Sequence, residues 1–284
     1  MAGVGTSTGN AALESEVLLR RAASIGREEF FARSDTSLPP AVDAAYSTLI
    51  ARRAAGVPVT YLVGHREFFG LDLTVDARVM IPRPETECLV EAVTGMFRRP
   101  DPLVVDIGTG SGAIAIAVAR ILPAARVLAT DIAAEALDLA RLNAKRCGVG
   151  DRIVWEMGPG LDPLQRCLVE GQVDALVCNP PYIPSAEVAA LPPEVREWEP
   201  HIALDGGPDG LCVHRPVIAG AGRYGRPGGV LALEVAALWD QACTVSRLIA
   251  ATGAFATARI IRDHAGAERV VVAERITGDG DHRD

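Results

Sequence analysis

The sequence predicts an α/β fold in which a seven-stranded, mostly parallel sheet is wound with helices and preceded by a small helical module. Three observations lead there. From Pro102 onward, short β-rich runs alternate with helical patterns, as in a parallel sheet with crossover helices. Between Glu14 and Tyr61, apolar residues recur at helical rather than strand spacing. The chain has 284 residues, 49% apolar and 23% charged, enough for one large domain or a medium one with a small companion.

Val17, Leu18 and Ile25 share helical spacing, and Ala41, Ala45 and Leu49 follow Pro39-Pro40 as residues after a helix start do. From Phe68 to Ile81 the apolar positions Phe69, Leu71, Leu73 and Val75 alternate with polar or glycine neighbours, and Pro82 and Pro84 then end the pattern. That is a half-buried hairpin joining two units. The expected division is a helical module over 1–66, a hairpin linker over 67–84 and a sheet domain over 85–284. The expected strands are Leu103–Ile107, Val127–Asp131, Ile153–Trp155, Ala175–Cys178, Val230–Val235, Ala258–Ile261 and Val270–Ala273. The last two lie too close for a crossover helix, so they should pair antiparallel. No internal repeat is visible, and the only low-complexity tract is the polar tail Gly278–Asp284.

Composition narrows the function. A net charge of −8 disfavours tracking a nucleic acid or coating a membrane, both of which need a basic face, so no direct nucleic-acid binding is expected. The six cysteines stand singly, without a C-x-x-C pair or histidines at zinc-ligand spacing, which suits a reduced, cytoplasmic compartment. Met1–Asn10 is small and polar, and no stretch reaches the roughly 18 apolar residues a membrane span needs. Neither export nor anchoring is expected.

The segment Asp106-Ile107-Gly108-Thr109-Gly110-Ser111-Gly112 follows a strand and opens a helix at Ala113. Glycines there allow a tight turn close to a ligand, and the helix start offers free N–H groups. A dinucleotide fingerprint would space its glycines G-x-G-x-x-G; here they alternate, with an acid two residues upstream, which favours S-adenosylmethionine over NAD. Asp131 ends the second strand about 20 residues beyond that turn, where an acid can accept from both ribose hydroxyls. It could also cap the helix expected from Ala133 to Asn143.

Asn179-Pro180-Pro181-Tyr182 stands at the carboxyl end of a strand, where open α/β sheets place their ligands. Successive prolines stiffen the loop and remove two N–H donors, leaving rigid carbonyl acceptors beside the Asn179 side chain. Such a loop can grip an –NH2 group. A planar amide nitrogen is a poor nucleophile, so its hydrogens must be accepted and its lone pair held in line with a methyl donor. The Asn179 oxygen and the Pro180 carbonyl suit that task, and Tyr182 could pack on the flat amide. A merely stiff loop, or a ligand for a proline-recognition domain, is the bland alternative. No Ser-His-Asp set, metal cluster or phosphate loop competes, and the five histidines are dispersed.

With these motifs the chain resembles the HemK/PrmC family, the peptide chain release factor glutamine N5-methyltransferases, from about Leu13 to Arg275. The resemblance rests on Arg53 to Phe69, Ile81-Pro-Arg-Pro-Glu-Thr-Glu87, Asp106 to Ala115, Asn179 to Ile183, Glu199 to Gly207, and Arg262-Asp263 with Glu268-Arg269. It implies a seven-stranded Rossmann-like methyltransferase domain that uses S-adenosylmethionine, with a helical docking domain and a β-hairpin linker. It places the cofactor on Asp106, Gly108, Thr109, Gly110, Ser111, Gly112 and Asp131, with Asn179 at the boundary of cofactor and substrate. The substrate, a glutamine in the Gly-Gly-Gln tripeptide of release factors, falls on Asn179 to Tyr182, flanked by Arg83 of the linker motif. Arg83, Pro84 and Glu85 could equally form a rigid interdomain turn with a salt bridge, and Glu234 matches an acid after the fifth strand.

The chain departs from the family pattern at three places. Gly158-Pro159-Gly160 stands where a Gly-Asp pair and a bulky residue flank the adenine, and Ala236 replaces the glycine of a Glu-x-Gly segment. Met1–Ala12 lacks the apolar pattern of a first helix. A paralogue acting on another amide or amine, and a non-catalytic cofactor-binding module, remain as alternatives.

Overall fold

The computed structural model describes residues 11–276 apart from 33, 34, 98 and 168. The readings of Met1–Asn10 and of the Gly278–Asp284 tail lie outside the described residues. Among the described residues no helix is long and apolar enough to cross a membrane.

Four helices form the N-terminal layer: α1 (Ala11–Ala23), α2 (Arg27–Ala32), α3 (Pro40–Ala54) and α4 (Val59–Val63). Pro40 starts α3 at the one helical turn that tolerates a missing N–H. Leu18, Val57 and Leu62 are buried together under Tyr46, Leu49 and Trp198. Arg53 on α3 pairs with Glu14 on α1 at 2.8 Å and with Glu194 at 3.2 Å, so the layer is tied to a distant part of the chain.

The linker hairpin is β1 (His65–Phe68) and β2 (Leu71–Thr74), paired antiparallel. It begins earlier and ends sooner than the Phe68–Ile81 alternation suggests. Gly64 ends α4 in the left-handed region at φ 87°, which lets the strand start at His65. Phe69 and Gly70 then take φ 52° and 72°, the doubly positive turn whose twist matches a two-residue hairpin. Phe69 is thus a turn residue, and its N–H donates to Glu87 Oε1 at 2.8 Å. After Thr74 the chain runs irregularly past Pro82 into α5 (Glu87–Thr94).

The sheet domain winds β3 (Leu103–Ile107), α6 (Ala113–Ile121), β4 (Arg126–Asp131), α7 (Ala134–Arg146), β5 (Ile153–Met157), α8 (Asp162–Arg166) and β6 (Val173–Cys178). Two short helices follow, α9 (Ser185–Val188) and α10 (Pro193–Arg196), then α11 (His214–Tyr224), β7 (Gly225–Glu234), α12 (Gln241–Ala251), β8 (Arg259–Arg262) and β9 (Glu268–Glu274). The strand order is β5-β4-β3-β6-β7-β9-β8. Strands β3 to β7 are parallel, while β9 pairs antiparallel with both β7 and β8. The expected antiparallel pair is therefore present, with β9 inserted beside β7.

Every residue of β3 and β6 is buried, because helices cover both faces. Alternate side chains enter separate apolar layers: Val104, Ala175 and Ile116 on one side, Val105, Leu176 and Leu231 on the other. Strand succession reverses between β3 and β6. A crevice opens at such a switch point, beyond the carboxyl ends of the strands.

Candidate functional site

A cleft of about 240 Å³ lies at that crevice. One wall is the glycine turn Gly108–Ser111 after β3, with Asp131 after β4 and Gly158–Gly160 after β5; the other carries Asn179–Pro181 after β6. Val79 and Pro82 of the linker, with Thr86 and Ile202, complete its lining. The two motifs read from the sequence therefore face one space.

The glycines of the turn divide by role. A Cβ on Gly110 (φ 55°) would meet nothing within 4 Å, so its left-handed backbone, and not packing, calls for glycine there, and the space above it is open to the cleft. A Cβ on Gly112 (φ 83°) would stand 2.9 Å from Ile116 Cδ1 and 3.1 Å from Ala140 Cβ. Gly112 lets α6 approach α7 and does not line the cleft.

Asp131 binds two backbone N–H groups, Gly110 to Oδ2 at 2.8 Å and Ala133 to Oδ1 at 2.9 Å. It joins the glycine turn to the start of α7, and each oxygen keeps a lone pair for a further donor. Burial raises its pKa above the usual carboxylate value, and these N–H groups partly oppose that.

Asp106 is withdrawn from the cleft, unlike its expected place among cofactor-binding side chains. It is fully buried, and its Oδ2 accepts from the Thr109 hydroxyl at 2.6 Å and from Ala115 N at 3.1 Å. Burial pushes its pKa up to about 7. Its carboxyl braces the turn from beneath while Thr109 and Ser111 reach the lining.

Asn179 Nδ2 donates to Thr86 Oγ1 at 3.2 Å, whereas Asn179 Oδ1 is buried and has no partner among the described residues. A buried acceptor left unsatisfied is costly, and this one belongs to a residue that lines the cleft. Behind it the loop is clamped. Gln241 Nε2 donates to the Tyr182 carbonyl at 2.7 Å, and Gly206 N to the Ile183 carbonyl at 2.8 Å. A Cβ on Gly206 would collide with the Pro181 carbonyl oxygen, so that glycine allows the supporting turn to press on the loop backbone. Tyr182 does not line the cleft. Burial raises the pKa of its phenol, and the charge of Glu234 adds to that.

Arg83 also stands outside the cleft. Its Nη2 donates to Glu199 Oε1 at 2.5 Å, and Glu199 Oε2 accepts from Ile81 N at 3.1 Å. The salt bridge weighed for the linker is present, and it fixes the linker against the 199–207 segment. Arg83 lines a neighbouring groove of about 490 Å³ that shares Pro82 with the cleft and is walled by Val17, Val59 and Thr60 of the helical layer. Thr86 and Glu199, both important here, were not singled out by sequence reasoning. Each lay inside a quoted family block, but its partner is 93 or 116 residues away.

Residues 5–64 match the PrmC N-terminal domain and residues 84–191 the methyltransferase small domain. A release factor glutamine methyltransferase from Moorella thermoacetica is 46% identical over 267 residues, spanning 93% of this chain and 91% of that protein. The chain belongs to the release factor glutamine methyltransferase family. A family member from Geobacter sulfurreducens is 42% identical over 263 residues, 92% of this chain and 89% of its own length. Among solved structures, the hMettl16 catalytic domain covers 78% of this chain and 82% of its own, with a TM-score of 0.61 at 16% identity. A methyltransferase from Pyrococcus furiosus covers 80% of this chain and 100% of its own, with a TM-score of 0.57 at 18% identity. These two share the fold. As a release factor glutamine methyltransferase family member, the chain is a methyltransferase whose methyl donor is S-adenosylmethionine. The open space over Gly110 and the free lone pairs of Asp131 suit that donor's chain and its ribose hydroxyls.

Proposed function

We propose that this protein moves a methyl group from S-adenosylmethionine to the side-chain amide nitrogen (N5) of the glutamine in the Gly-Gly-Gln segment of peptide chain release factors, in the cytoplasm. The observation that carries it is the unpartnered, buried Oδ1 of Asn179 on the cleft wall. It suits an incoming N–H donor, and the curated relatives are named for glutamine methylation.

In this reading Asn179 Oδ1 and the Pro180 carbonyl accept the two amide hydrogens and hold the nitrogen lone pair toward the methyl carbon. As the N–C bond forms, the methyl–sulfur bond breaks and its electron pair stays on sulfur, which becomes a neutral thioether. The methylated nitrogen then sheds one proton to water or to the loop's acceptors, so no histidine base is needed. Positioning supplies the catalysis. Gly108–Ser111 and Asp131 hold the donor, while Pro181 and Tyr182 stiffen the acceptor loop.

The groove beside Arg83 gives the glutamine its way in. Residues 1–66 serve as the dock for the body of the release factor, 67–84 as the linker and 85–284 as the catalytic domain. The test is to incubate the protein with labelled S-adenosylmethionine and purified release factors, then locate the label by mass spectrometry. Label on the Gly-Gly-Gln glutamine is expected; turnover of a small amide with none on release factors would overturn the substrate.

A further inference from the structure

The groove beside Arg83 does not end at the helical layer. Val17, Val59, Thr60 and Arg66 line it, and the same four line a further groove of about 800 Å³ walled by α1, α4 and the hairpin. Pro82 joins the groove beside Arg83 to the cleft. A polypeptide whose glutamine occupies the cleft therefore meets one continuous track, which leads away from the site over the helical layer.

Charge reverses along that track. Toward the cleft, the groove beside Arg83 carries Glu14, Glu85, Glu194 and Glu199 against Arg66 and Arg83. In the farther groove Arg20, Arg21 and Arg66 outnumber Glu67 and Asp72, and those two acids are engaged. Glu67 Oε1 accepts from Gly70 N at 2.5 Å, and Asp72 lies 2.6 Å from His65 Nδ1 and 3.6 Å from Arg146. The cations are far less occupied. Arg20 gives one nitrogen to Glu16, at 3.3 Å, while the Arg21 and Arg66 side chains have no hydrogen bond or ion pair among the described residues. Arg66 is also fixed in place. In the hairpin register it lies opposite Leu73, which is fully buried. Cross-strand neighbours share a face, so the arginine stem is drawn under the surface. Its Nε is buried without a partner, as is that of Arg20 on α1. A half-buried guanidinium without a counter-charge is costly to keep; held by its stem with its donors free, it is preorganised for a carboxylate.

We infer that this farther groove docks an acidic segment of the release factor, outside its Gly-Gly-Gln loop, with Arg66 pairing to a carboxylate and Arg20 and Arg21 completing the cationic side. The inference rests on the release-factor reading of the cleft and gives the chemistry of the dock. Val17, Ile25 and Val63 supply an apolar wall beside the arginines, which suits the stems and apolar neighbours of an acidic peptide. A nucleic-acid backbone is a poorer match, since its phosphates would meet Glu67 and Asp72 and gain nothing from that wall. The acids nearer the cleft repel the same segment, so the order of charge along the track sets the direction in which the bound chain lies.

Kinetics on two substrates test the dock: purified release factor, and a short peptide carrying Gly-Gly-Gln. Arg66→Gln should raise KM for release factor about tenfold or more and leave kcat within a few fold. Arg21→Glu, at an exposed position, should raise KM in the same way. For both variants kcat/KM on the peptide and affinity for S-adenosylmethionine should stay within about twofold. Added salt should raise the wild-type KM for release factor more steeply than that of Arg66→Gln. Ser24, exposed on the groove, gives a second reading. Ser24→p-benzoylphenylalanine, photoactivated beside release factor, should cross-link to a segment rich in Asp and Glu. A wild type that methylates release factor, beside variants with unchanged KM and salt response, overturns the dock and leaves the proposed function intact. Equal losses on peptide and protein reduce Arg66 to a support of the hairpin and overturn the dock as well, as does a cross-link to a segment without acids. Competition by an RNA oligomer that Arg66→Gln relieves reassigns the groove to nucleic acid. Turnover of a small amide with no methylation of release factor by the wild type overturns the proposed function and removes this partner with it.

Discussion

At the scale of single residues, the cleft separates groups that line it, such as Asn179 and Asp131, from groups that brace them. Asn179→Ala should leave S-adenosylmethionine affinity within a few fold yet lower methyl transfer at least about a hundredfold, as loss of a positioning contact does. Single-turnover kinetics at saturating cofactor would check this, and wild-type turnover would end the amide-grip mechanism. Asp131→Ala should weaken cofactor binding by about 1 to 3 kcal/mol through unpaired ribose hydroxyls, read by calorimetry. Unchanged affinity would reduce Asp131 to its bonds with Gly110 and Ala133. The place of both residues on the cleft was legible in the sequence because each belongs to a short motif at a strand end. Thr86 and Glu199 were not legible as partners, because their meaning comes from contacts across 93 or more residues. Asp106 misled for a related reason: the motif placed an acid at the turn, but only packing could show it braced beneath the turn by Thr109 and Ala115.

At the scale of elements, the strands were legible because β-branched runs bounded by turn residues repeat at crossover distance, and each expected strand overlaps an observed one. The hairpin was misaligned because Phe69 carries an apolar side chain at a position whose backbone, not its side chain, makes the turn. The glycine turn offers a sharper test of element logic, since its residues share a conformation and differ in surroundings. Gly110→Ala should fold at a cost of about 1 to 2 kcal/mol for a left-handed alanine and lose much of its cofactor affinity, its methyl group entering open space over the cleft. Gly112→Ala has the same backbone cost plus contact with Ile116 and Ala140, and should lose about 2 to 4 kcal/mol of stability. Urea unfolding with cofactor titration would separate the two. If Gly110→Ala binds normally, the turn does not cradle the donor.

At the scale of the whole molecule, the helical layer is not an independent appendage. Trp198, from the segment between the acceptor loop and α11, packs against Leu18, Val57 and Leu62, while Arg53 reaches Glu194. Tyr61 donates its hydroxyl proton to the Val79 carbonyl at 2.6 Å, and Val79 lines the cleft. A truncation meant to test docking must therefore spare α4, or it will disturb the cleft rim directly. Removing residues 1–54 keeps Tyr61 and its bond while deleting α1 to α3, which supply Leu13, Glu14 and Val17 to the groove beside Arg83. If the layer docks the body of a large substrate, this variant should lose at least about tenfold, or 1.4 kcal/mol, in kcat/KM on intact release factor. Its kcat/KM on a short peptide carrying Gly-Gly-Gln should change far less, because the peptide needs only the cleft and its mouth. Calorimetric affinity for S-adenosylmethionine should stay within a few fold and serves as the control for folding, since loss of Leu18 uncovers the buried Leu62 and the Trp198 packed beside it. Equal losses on peptide and protein with weakened cofactor binding would mean that the layer supports the cleft wall. Equal activity of truncated and full-length protein on intact release factor would remove docking from its role altogether.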